Sequence, residues 1–211
     1  SSVKALVEKE LEGKYFYLIP RKNIIFYPKQ RIEEKLFEIF PRINSLSINL
    51  KKASFLEITL ALRKPISLWC KDTKNEKCYF LDEKGFIFDE AGNFSDGIYF
   101  IYRGEVADSP LGSMYIEEEK FALLRSFIAD IRDLGFFPQE ISPIGAGSYD
   151  LTVSGGHILF SIEDNSADVL TNLSSLLGDA RLSILKGSEL QVESVDLRYG
   201  KKIIFKKKNS L

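Results

Sequence analysis

The sequence predicts an α+β fold in two modules: helices on a short sheet over residues 1–65, then a mostly antiparallel β domain with two helices over residues 66–211. Three observations predict it. Leu56, Ile58, Leu60 and Leu62 alternate with Phe55, Glu57, Thr59 and Ala61, the period of two of a strand with one apolar face. Two stretches with apolar residues at helical spacing precede that strand. Sixteen Phe and nine Tyr against one Trp and one Met fit a β-rich remainder, because aromatic side chains suit pleated, half-buried surfaces.

The elements follow in order. Val3, Leu6, Val7 and Leu11 trace one face of a first helix, with Gly13 as its stop. Residues 15–27 form an aromatic connector containing Pro20. Pro28 fits the first turn of a second helix whose stripe is Ile32, Leu36, Phe37 and Phe40, and Pro41 ends it because its ring cannot continue the hydrogen-bonded turn. Strands are expected at 43–50, then Phe55–Leu62. Arg63-Lys64-Pro65 interrupts the pattern, since proline offers no N–H to a ladder. Short strands follow at 66–70 and Cys78–Leu81, and Asp82-Glu83-Lys84-Gly85 reads as a tight turn into Phe86-Ile87-Phe88.

Beyond a polar stretch at 89–97, residues 98–102 read as a strand and 106–112 as a loop. The longest helix spans 116–134, with Phe121, Leu124, Phe127, Ile128, Ile131 and Leu134 turned to a core. Glu117, Glu118 and Glu119 fall in its first turn, where negative charge is favourable. Ser154-Gly155-Gly156 separates strands at 149–153 and 157–161. Asn165 or Ser166 caps a helix over 167–177, ended by Gly178. Strands at 195–199 and 202–206, separated by Gly200 and Lys201, close the series.

A chain of 211 residues with 45% apolar residues and net charge −1 describes a folded domain with a sizeable core. Balanced charge gives no reason to expect nucleic acid. No run reaches the ~18–20 apolar residues of a membrane-spanning helix, and no signal peptide is visible at Ser1. Cys70 and Cys78, the only two cysteines, lie at facing ends of two expected strands. A hairpin brings such a pair to bridging distance, about 5.5–6 Å between Cα atoms. In an oxidising compartment they form a disulfide, in a reducing cytosol two thiols at strand ends. With one distant His they cannot complete a four-ligand metal site.

Several motifs resemble one family. Leu62-Arg63-Lys64-Pro65 followed by Trp69, then Asp82-Glu83-Lys84-Gly85 before Phe86, is similar to the junction in the bacterial cell-division family FtsQ/DivIB. There a POTRA (polypeptide-transport-associated) module ends in an "ER-x-P" strand, and a "D-x-x-G" hairpin opens the β domain. Leu62 stands where the family often has Glu. Phe40-Pro41-Arg42-Ile43 matches the family's "FP-x-I" after the second helix, and Asp196-Leu197-Arg198-Tyr199 its "DLRY" before the final strand. Helix, helix, strand, strand is then a POTRA order lacking its first strand.

The resemblance implies a non-enzymatic divisome scaffold. It would be anchored in the cell membrane by a single-pass transmembrane helix absent from this chain, with this part extracytoplasmic, on the periplasmic or cell-wall side, at the division septum. Its implied partners are FtsB-like and FtsL-like proteins, the former adding a strand at the last strand's edge, with other divisome components on the POTRA module. By motif position the contact candidates are Arg198 and Tyr199, with Lys202, Ile203, Ile204, Phe205 and Lys206 as the template strand. Only Gly200 and Lys201 separate the motif from that strand, a shorter link than the family's. An unpaired edge offers free N–H and C=O groups, while lysines blunt unwanted pairing and attract an acidic partner. The alternative is a POTRA-bearing chaperone or transport module for outer-membrane or secreted polypeptides.

Other chemistry finds little support. His157, the only histidine, follows a Gly-Gly turn and no nucleophile motif accompanies it. Gly145-Ala146-Gly147 lacks the strand-to-helix context of a dinucleotide loop. No catalytic residue, cofactor site or metal site is expected.

Overall fold

The computed structural model describes residues 2–12, 14–15, 19–20, 27–51, 55–71, 77–92, 97–106, 109–145, 147–162, 166–178, 184–200 and 202–208. The expected helix stop at Gly13, the cap at Asn165, the turn residue Ala146 and the linker residue Lys201 lie outside them, as do most of the 15–27 connector and residues 72–76 between the cysteines. Among the described residues the fold is α+β, with four helices and fifteen strands. The chain divides into two compact units, Ser1–Lys64 and Pro65–Leu211.

The first unit holds α1 (Ser2–Glu10), the paired two-residue strands β1 (Lys14–Tyr15) and β2 (Ile19–Pro20), α2 (Lys29–Ile39), β3 (Ile43–Lys51) and β4 (Phe55–Leu62). Val7, Ile32, Leu36, Ile43 and Ile48 form its buried core. β3 and β4 pair antiparallel with Leu46 opposite Leu60 and Ile48 opposite Ile58, so one face of the hairpin is apolar throughout. That face is buried only at its middle. Leu56, Ile58 and Leu60 pack on the core, while Leu62 is 62% exposed. Phe37, expected on the buried stripe of α2, is exposed, because Ile32 and Leu36 already fill the helix's contact line. Pro28 precedes the helix rather than joining its first turn, and its carbonyl accepts from Ile32 N. Two motif segments meet here: Arg63 Nε donates to Pro41 O at 3.1 Å and Arg63 N to Arg42 O at 2.8 Å.

The second unit is built on nine strands: β5 (Ser67–Cys70), β6 (Cys78–Leu81), β7 (Ile87–Glu90), β8 (Ile101–Arg103), β9 (Pro138–Gly145), β10 (Ser148–Val153), β11 (Gly156–Ser161), β14 (Ser194–Tyr199) and β15 (Lys202–Lys206). A small hairpin, β12 (Leu185–Lys186) and β13 (Glu189–Leu190), precedes β14. The sheet order is β15-β14-β11-β10-β9-β8-β5-β6-β7. The junctions β11/β14, β8/β9 and β5/β8 are parallel and the rest antiparallel.

Helices α3 (Glu118–Asp133) and α4 (Ser166–Leu177) share one core with the inward side chains of this sheet. Phe121, Leu124, Phe127, Ile128 and Ile131 of α3 are buried, and the Phe127 and Phe160 rings stack at 3.9 Å. Ile116 and Leu134 fall just outside the helix, and Glu117 takes its N-cap position, leaving Glu118 and Glu119 in the first turn. Burial pushes the Tyr102 and Tyr115 phenols up, and Tyr115 Oη donates to Arg103 O at 2.8 Å. At Gly85, φ is +82° and an added Cβ would lie 2.8 Å from the Phe121 ring, so only glycine fits the turn. Asp82 organises that turn by accepting from Lys84 N and Phe86 N.

The short pairs β1–β2 and β12–β13 are not among the expected elements, and two strands of the large sheet differ from expectation. β8 covers 101–103 rather than 98–102, because Gly97 to Tyr99 are turn and bend. β9 carries Pro138 and Pro143, residues that argue against an interior strand. Pro138 is its first residue, and β8 pairs with it only at Glu140 and Ile141. Pro143, opposite Tyr149, borders a register shift. Neither proline removes a ladder bond on the β8 side.

Candidate partner-binding edge

The nine-stranded sheet ends in two edges. At β7 the segment 112–114 lies alongside the outermost strand: Ile87 N donates to Ser113 O at 2.9 Å, Gly112 N to Ile87 O at 2.8 Å, and Phe86 bridges Met114. At the other end β15 has β14 as its sole strand neighbour among the described residues. Its second row of backbone groups faces outward, and a further strand would satisfy them.

Register decides what each face presents. Ser194, Val195 and Asp196 pair with Lys206, Phe205 and Ile204, and Tyr199 pairs with Lys202. Between Asp196 and Tyr199 two residues of β14, Leu197 and Arg198, oppose Ile203 alone, which is a β-bulge. Val195 and Leu197 point into the core, with Ile203 and Phe205 half-buried against it. On the opposite face Ile204 is 51% and Tyr199 55% exposed. The bulge shifts the alternation by one, so Arg198 and Tyr199 become neighbours on the open side, with Arg198 Cζ 6.0 Å from the Tyr199 ring centre.

Arg198 is not a loose cation. Its Nε donates to Asp196 Oδ1 at 2.8 Å and its Nη2 to Asp196 Oδ2 at 2.6 Å, while its backbone N donates to the same Oδ1 at 3.1 Å. This paired geometry suits guanidinium and carboxylate. Its hydrogen bonds hold the Asp196 carboxyl below the usual carboxylate range and push Arg198 further up. Lys206 pairs with Glu193 and Lys208 Nζ donates to Leu190 O at 2.8 Å.

The structure thus gathers all seven candidates on β14 and β15 but divides them. Tyr199, Lys202, Ile204 and Lys206 offer exposed side chains, Arg198 is half-buried and held by Asp196, and Ile203 and Phe205 turn to the core. The role of Asp196 is the part that motif reading misses. Its signal is the spacing of two on a strand, which places Asp196 and Arg198 on one face.

Cys70 and Cys78 are bonded, opposite each other across β5 and β6 with Cα atoms 4.4 Å apart. His157 is a strand residue with Nδ1 3.0 Å from Asp150 Oδ1. A shallow groove lined by Asp130, Asp133, Leu134, Leu170, Thr171, Ser174 and Ser175 runs between α3 and α4. Among the described residues no group of three or more His, Cys, Asp or Glu is placed to hold a metal ion, and no helix is long and apolar enough to cross a membrane. Compared with known proteins, the chain matches no family model and no curated protein.

Proposed function

We propose that this chain is the extracytoplasmic part of an FtsQ/DivIB-type cell-division protein, a non-enzymatic scaffold that takes up an FtsB-like partner by strand addition at β15. The observation that carries the reading is the position of β15: last in the sheet, one side on β14, the other unpaired among the described residues. The bulge beside it, formed by the Asp196-Leu197-Arg198-Tyr199 motif, exposes Tyr199 at the same place. The Cys70–Cys78 bond supports an oxidising compartment, as expected outside the cell membrane. The first unit, two helices on a β-hairpin tied by Arg63 to the Pro41 carbonyl, is read as the POTRA module, which takes other divisome components.

Successive N–H groups along a strand point to opposite sides within the sheet plane. Of Ile203 and Ile204, one N–H therefore faces β14 and the other the incoming strand. Proline at the outward-facing position removes a donor that only the partner needs. A titration with FtsB-like and FtsL-like extracytoplasmic segments, run on Ile203→Pro and Ile204→Pro, is expected to show one variant that loses binding with an unchanged melting temperature. The other is expected to lose stability as well. Undiminished binding by both would sink the mechanism.

A further inference from the structure

Beyond its free backbone, β15 carries a pattern of charge. Lys202, Ile204 and Lys206 alternate on the open face. Across β14 they meet Tyr199, Asp196 and Ser194 in that order. Asp196 is the only acid on β14, and Arg198 already takes both of its oxygens. Glu193 offsets part of the charge of Lys206, and β14 places no acid opposite Lys202. The open face of this strand is therefore cationic at its ends and apolar at its centre.

We propose, resting on the strand-addition reading above, that β15 accepts a strand with acidic side chains opposite Lys202 and Lys206 and an apolar one opposite Ile204, and that the same lysines keep a second copy of this chain off the edge. Directly opposite side chains share a face at about 4.5–5.5 Å between Cβ atoms, where unlike charges attract and like charges repel. Antiparallel self-pairing centred on Ile204 sets Lys202 against Lys206 of the second copy, and does so twice. A centre at Ile203 or Phe205 keeps the faces in phase but pairs only 202–204 or 204–206, three of the five strand residues. A slip of one residue puts the core face of one copy beside the open face of the other. No register serves a second copy well, whereas an acid-flanked strand fits the full length.

The test uses the intact chain and two synthetic peptides, Thr-Glu-Thr-Val-Thr-Glu-Thr and its counterpart with Lys in place of Glu, followed by backbone NMR shifts at millimolar peptide. The acidic peptide is expected to bind roughly tenfold more tightly, the size of two reversed cross-strand charge pairs. Lys202→Glu combined with Lys206→Glu is expected to invert the preference. In sedimentation the wild-type chain is expected to be monomeric, while Lys202→Glu alone, which turns both like-charge pairs into Glu–Lys pairs, is expected to dimerise. Equal binding of both peptides would remove the charge pattern and leave strand addition standing; binding of neither would remove both. A wild-type dimer lost in Ile203→Pro or Ile204→Pro, or a monomeric Lys202→Glu variant, would overturn the exclusion of a second copy.

Discussion

At one end of the nine-stranded sheet, β7 is bordered by the segment 112–114, bonded to Ile87 through both of that residue's backbone groups. At the other end, β15 carries lysines and an outward row with no strand beside it among the described residues. The first edge is closed by chain where it begins, at Phe86 and Ile87; the second, among the described residues, is guarded by charge. Covering and charging are both ways that proteins keep edges from pairing indiscriminately, but they differ in what they permit. A covered edge is shut to every strand, whereas a charged one is shut to some and open to others. The comparison favours β15 over β7 as the edge for the proposed partner strand.

The largest expected effect tests the bordered end. Phe121 packs beneath the Gly85 turn and against Tyr102, with ring centres 4.9 Å apart. Phe121→Ala leaves a cavity there and is expected to cost about 3–5 kcal/mol in denaturant unfolding. Next comes the bond between Cys70 and Cys78, which closes a short loop of sequence separation 8. Replacing both cysteines by serine is expected to cost about 2–3 kcal/mol by loop-closure entropy. Hydrogen exchange should then speed up in β5, β6 and β7 while β14 and β15 keep their protection. Equal acceleration at both ends would break the distinction drawn between the edges.

The smallest effect belongs to the open end. The Asp196 carboxyl is depressed by Arg198, so its contribution to stability is fully present above the unfolded carboxylate value of about 3.9 and fades as pH falls below it. Asp196→Asn is expected to cost about 1 kcal/mol near neutral pH, the scale of a charge-assisted pair at a surface. Its stability curve should converge with that of the wild type in acid. Curves that stay parallel down to pH ~2 would show that the pair contributes to shape rather than stability.

Much of this architecture is legible in the residues. Helical spacing marks the buried stripe of α3, strict alternation marks β3, β4, β10 and β14, and Asp82 to Gly85 spells out its own turn. Phe37 and Leu62 show where a pattern outruns the core: each has the right spacing, but the apolar surface available to cover it has ended. β9 is hidden because its prolines lie where no ladder bond is needed, a fact of pairing rather than of local sequence. The parallel junctions and the closure of β7 by the segment 112–114 depend on chain returning from a distance. At the candidate site, the motif points to β14 and β15, but the bulge that exposes Tyr199 arises from a mismatch in length between two strands and appears only when they are paired.

The position of β15 in the chain has a consequence for timing. It follows every other described strand in sequence, and its neighbour β14 lies against β11 only after α4 and the β12–β13 hairpin have been laid down. A chain emerging from its N-terminus, whether from a ribosome or through a membrane channel, completes this edge last. On the strand-addition proposal, the docking surface therefore comes into being when the rest of the sheet already has its sequence available to fold, and a half-made chain lacks the edge strand. Under that proposal the partner is taken up only by a chain made as far as β15.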